Sequence, residues 1–93
     1  MESKNAVKVY VAVLAAFGAD GRLIPRRLQW EDGHQYAIDR VLDMRPAAAM
    51  KAGGQGDRYT VQINGHQSYL FFERNPDVSD KLLGRWFVER RQV

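Results

Sequence analysis

The chain of 93 residues carries a formal net charge of +3, with 45% hydrophobic and 27% charged residues. Those proportions exclude wholesale disorder, and the length predicts one small domain that buries only about 60 to 65% of its unfolded surface. With no cysteine, a disulfide framework and a thiolate metal site are both excluded, and the mild basicity is compatible with an anionic partner without requiring one.

Met1 to Asn5 is polar and is expected to be a disordered terminus. The run from Ala6 to Phe17 is far shorter than the roughly 20 apolar residues of a spanning helix, and Lys8 interrupts it. It also lacks the basic start and small-residue cleavage site of a signal peptide, so a cytoplasmic protein with no membrane role is expected. Within it the valines at 7, 9, 11 and 13 recur every second residue, a strand period rather than a helical one. The second half of this first strand is apolar on both faces. It should therefore be central in a sheet, or covered by another subunit.

Gly18-Ala19-Asp20-Gly21 has turn chemistry and leads into a second strand, Arg22 to Trp30. Pro25 has no amide proton for a ladder, so that strand should lie at an edge or bulge there, and Arg26-Arg27 would blunt an exposed edge. Glu31-Asp32-Gly33 is the next turn. Gln35 to Met44 is a third strand whose alternation slips at Val41-Leu42, which predicts a bulge or twist. Pro46 should end it and open a helical turn over Ala47 to Ala52, with Gly53-Gly54-Gln55-Gly56 as a flexible loop.

The most secure stretch runs from Asp57 to Glu73. Arg58 to Ile63 alternates large apolar with polar residues, Asn64-Gly65 follows, and Ser68 to Phe72 resumes β-rich composition. Asn-Gly between such runs signals a type I′ hairpin, because both central residues need positive φ. A two-residue loop fixes the register and sets Ile63 opposite His66, Val61 opposite Ser68 and Tyr59 opposite Leu70. Asn75, Pro76 and the Val78/Leu82 pair then predict a short helix closed by Gly84, before a last strand from Arg85 to Arg90. The sum is an all-β domain, or mainly β with one or two short helices. About six strands form an antiparallel sheet curled into a small barrel or sandwich.

The blocks Trp30 to Asp43, Tyr69-Leu70-Phe71-Phe72-Glu73 and Gly84 to Glu89 resemble a family of small uncharacterised bacterial proteins. Their order is also similar to that of a small domain of unknown function found in bacteria alongside translesion DNA polymerases. The resemblance implies no established activity and no functional residues.

Histidines 34 and 66 each follow a glycine just past a turn, with no second histidine at ligand spacing, and read as exposed turn residues. Asp39 and Asp43 would share a face of a regular strand, as an acid/base pair requires, but neighbouring Arg40 and Arg45 make surface ion pairs the simpler reading. Lys51 beside the glycine run lacks the Gly-Lys-Ser/Thr that opens a phosphate-binding helix. No catalytic residue, cofactor or metal ligand is therefore predicted. What remains is a cationic, aromatic surface, with Arg26, Arg27, Arg45, Lys51 and Arg58 as candidate nucleic-acid contacts and Trp30, Tyr36 and Tyr59 as stacking rings. That reading requires these cations to gather on one face. The expectation is a non-enzymatic binding module for nucleic acid; the alternative is a homo-oligomer, or a protein-interaction module, joined through the first strand.

Overall fold

A computed structural model describes residues 6–48, 55–74 and 83–91. Its strands are β1 (Ala6–Phe17), β2 (Leu23–Gln29), β3 (Gln35–Ala37), β4 (Arg40–Ala48), β5 (Gln55–Ile63), β6 (His66–Arg74) and β7 (Gly84–Arg91). They form one antiparallel sheet in the order β3-β2-β1-β7-β6-β5-β4, curled into a half-barrel. The expected all-β antiparallel fold is what the chain adopts, with seven strands because the expected third strand is divided into β3 and β4.

That division closes the fold. β3 and β4 sit at opposite edges of the sheet, yet only Ile38 and Asp39 separate them in the chain. The Ile38 amide donates to the Arg26 carbonyl of β2, and the Asp39 amide donates to the Gln62 carbonyl of β5, at 2.9 and 2.8 Å. A flat sheet would leave those carbonyls strands apart; curling brings them to either side of one peptide. The two edges are thus strapped together.

The hairpin register is as the turn chemistry dictates, with Ile63 opposite His66, Val61 opposite Ser68 and Tyr59 opposite Leu70. Asn64 and Gly65 have φ of 51° and 78°, the left-handed pair that a type I′ turn needs. β1 lies inside the sheet, pairing with β7 along its first half and β2 along its second. Opposite Leu14 and Ala15 the register jumps from Arg27 to Pro25, so Arg26 is the extra residue of a bulge. β3 reaches only as far as Arg27, so on that side Pro25 meets no strand that would ask it for an amide.

Two expectations give way. Pro46 to Ala48 continue β4 instead of opening a helix, because they pair with Gln55 to Asp57, and cross-strand pairing outweighs the helical preference of the alanines. Gln55 and Gly56 consequently belong to β5 and not to a loop. The remainder of the expected 47–52 helix, the 76–83 helix apart from exposed Leu83, and the Met1 to Asn5 tail lie outside the described residues.

The core fills the concave side. Tyr59, Val61, Leu70 and Trp86 are buried together, with Val11, Val13, Leu23, Ile38 and Val41 packed against them. The Tyr59 hydroxyl donates to the Leu23 carbonyl at 2.6 Å, tying β5 to β2 across the interior. Burial pushes the Tyr59 phenol up from its ordinary value. No described helix is long and apolar enough to cross a membrane.

Candidate nucleic-acid interface

Alternate residues of each strand face outward, and register decides which of them meet. Arg45 lies opposite Arg58, Arg58 opposite Phe71, Phe71 opposite Phe87, and Phe87 opposite Tyr10. These four pairings draw one row of side chains across β4, β5, β6, β7 and β1 on the convex face. The Phe71 and Phe87 rings stack with centroids 5.0 Å apart, and Tyr10 meets Phe87 edge-on at 5.9 Å. Phe87 is fully buried although it faces outward, because Lys8 lies over its ring, with Nζ 4.9 Å from the centroid.

Two guanidinium groups cover the rings that stay exposed. Arg58 sits 4.8 Å above Tyr69 and Arg85 sits 4.1 Å above Tyr10, a cation over the negative face of a π-system in each case. Arg58 Nε is buried with no hydrogen-bond partner among the described residues. Glu73 organises the other flank: its carboxylate accepts from Lys8 Nζ at 2.7 Å and from the Tyr10 hydroxyl at 2.9 Å, and lies 3.6 Å from Arg85. The Lys8 hydrogen bond, and then that of Tyr10, hold the Glu73 carboxyl below its ordinary range. Arg45 donates to Asp43 at 2.8 Å, which raises its own pKa further and offsets part of its charge.

The five predicted contact residues do not form one patch. Arg45 and Arg58 are cross-strand neighbours in the row. Arg27 is exposed opposite Leu14 on β2, and Arg26 is exposed at the bulge, both away from that row. Lys51 lies outside the described residues. The aromatic partners differ as well. Tyr59 is 2% exposed in the core and so is no outer platform, and half-buried Trp30 and Tyr36, away from the row, line a cleft.

Lys8, Tyr10, Tyr69 and Arg85 are the residues that sequence reasoning passed over. The hairpin register already put Tyr69 and Phe71 on the face of Thr60 and Arg58, which was the available signal. His34 is exposed and paired with Asp32 at 2.9 Å, and the His34 amide and ring together lower the Asp32 carboxyl. Among the described residues no three histidine, aspartate or glutamate side chains could hold a metal ion. The chain matches no family model, no curated protein and no solved structure.

Proposed function

We propose that this protein is a cytoplasmic module that works by binding, and that its partner is a single-stranded nucleic acid laid across the convex face. The observation that carries this reading is the row from Arg45 to Tyr10, with arginines on the rings of Tyr69 and Tyr10. Lys8, Arg45, Arg58 and Arg85 offer charge to phosphates. Tyr10 and Tyr69, 43% and 48% exposed, offer ring surface to unstacked bases. A duplex keeps its base faces covered, so it gains from the charges alone.

The test is fluorescence anisotropy with single- and double-stranded oligonucleotides of equal length, at low and moderate salt. Tighter binding of the single strand is expected, with affinity falling as salt rises by a logarithmic slope of about −0.7 per phosphate neutralised. Arg58→Ala and Arg85→Ala should each make that slope shallower. No binding at either salt, or binding indifferent to salt, removes the reading.

A second reading has its own support: Leu14 and Phe17, near the end of β1, are 65% and 68% exposed. Large apolar side chains left exposed in this way suit contact with another protein surface, including a second copy of the chain. Light scattering that finds only monomer at high concentration, with Leu14→Glu changing nothing, rules out the self-associating form.

A further inference from the structure

β6 and β7 pair only where Phe71 to Arg74 meet Gly84 to Phe87. Beyond that point β6 stays on β5 as far as the hairpin turn, and β7 stays on β1 as far as Arg91. The two strands therefore splay, and the gap between them takes side chains of both faces, with outward-facing Tyr69, Phe71 and Glu89 beside inward-facing Leu70 and Val88. A cleft of about 450 Å³ results. Its walls are Val61 and Leu70 on one side and Val88 on the other, with Leu28, Trp30 and Tyr36 from the β2–β3 end facing them.

We infer that this cleft is a binding site for a small, neutral, flat aromatic molecule. Its volume falls within the range of natural small-molecule sites, and the mouth of a curled sheet is one of the places where such sites form. The ligand class follows from the lining. Trp30 and Tyr36 supply aromatic surface for a planar ring. Asn64, His66 and Ser68 line the cleft near the hairpin turn and offer hydrogen bonds to one polar group. Among the described residues no lysine or arginine lines the cleft, and Glu89 does, so a carboxylate-headed chain such as a fatty acid would bring a charge that none of them offsets.

The probe is N-phenyl-1-naphthylamine, a neutral aromatic dye that brightens in apolar surroundings, titrated into the full chain. Saturable one-to-one enhancement is expected. Val88→Phe, which adds bulk to the wall, should weaken it about tenfold or more, while Arg22→Ala, at an exposed side chain between β1 and β2, leaves it unchanged. Laurate should not displace the dye. The wild-type protein gives a readout that needs no variant: of its two tryptophans, Trp30 lines the cleft and Trp86 does not. The Trp30 indole N–H resonance should shift on titration by far more than that of Trp86. Enhancement that never saturates, survives Val88→Phe, or leaves the Trp30 resonance in place overturns the site. Displacement by laurate overturns the ligand class.

Discussion

Ile38 and Asp39 are adjacent in the chain, yet their amides serve opposite edges of the sheet, Ile38 bonding to Arg26 and Asp39 to Gln62. This peptide is the strap that keeps the curled sheet from opening. Asp39→Pro removes one of the two donors and strands the Gln62 carbonyl. A loss of about 1 to 3 kcal/mol is expected by chemical denaturation, against a negligible change for Asp39→Ala, whose side chain is exposed.

Glu73 receives Lys8 and Tyr10 from β1, so it joins strands that β7 separates. Its carboxyl lies below its ordinary value, chiefly through the Lys8 hydrogen bond. A group depressed in the folded state contributes stability that is present above its unfolded pKa and lost as pH falls through the folded one. Stability should therefore decline from about pH 4.5 downward, and Glu73→Gln should flatten that acid limb in melts taken across pH. A residual slope remains, because the His34 amide lowers Asp32 too.

Tyr59→Phe keeps the ring in the core and deletes the hydroxyl that reaches the Leu23 carbonyl. An acceptor left inside without its donor costs about 1 to 3 kcal/mol. The variant should also lose part of the alkaline limb. A phenol raised by burial contributes stability that is full below the ordinary value of 10.0 and is lost as pH rises through the folded pKa.

Gly84 starts β7 hard against β6. A Cβ there would fall on the Glu73 carbonyl oxygen and on the Phe72 ring, and backbone cannot swing aside as a long side chain can. Gly84→Ala should lower stability by about 1 to 3 kcal/mol through overpacking, read from the denaturation midpoint.

The parts of this fold that were legible in the sequence are the locally determined ones. Asn64-Gly65 imposes its turn and thereby the register of β5 and β6, and the alternating valines of β1 need no partner to be recognised. Pro25 announced its bulge. What escaped depends on distant chain. Pro46 to Ala48 read as a helix start because their strand partner, Gln55 to Asp57, lies across an intervening segment. The crossing at Ile38 and Asp39 left no mark in the pattern, whereas the slip of alternation at Val41-Leu42 is real as the register shift between Val41 and Asp43. That same shift decides that Arg45 meets Arg58, and Lys8 meets Glu73 across a separation of 65 residues, so the convex row could not be assembled from spacing alone.

Leu70 and Phe71 are successive residues of β6, one in the cleft wall and the other in the stacked pair beneath the cations. The gap where β6 leaves β7 thus joins two environments, since Tyr69 and Phe71 belong to the outer face and also line the cleft. A substitution at either ring reaches both sides, so an occupant held on one would be felt on the other.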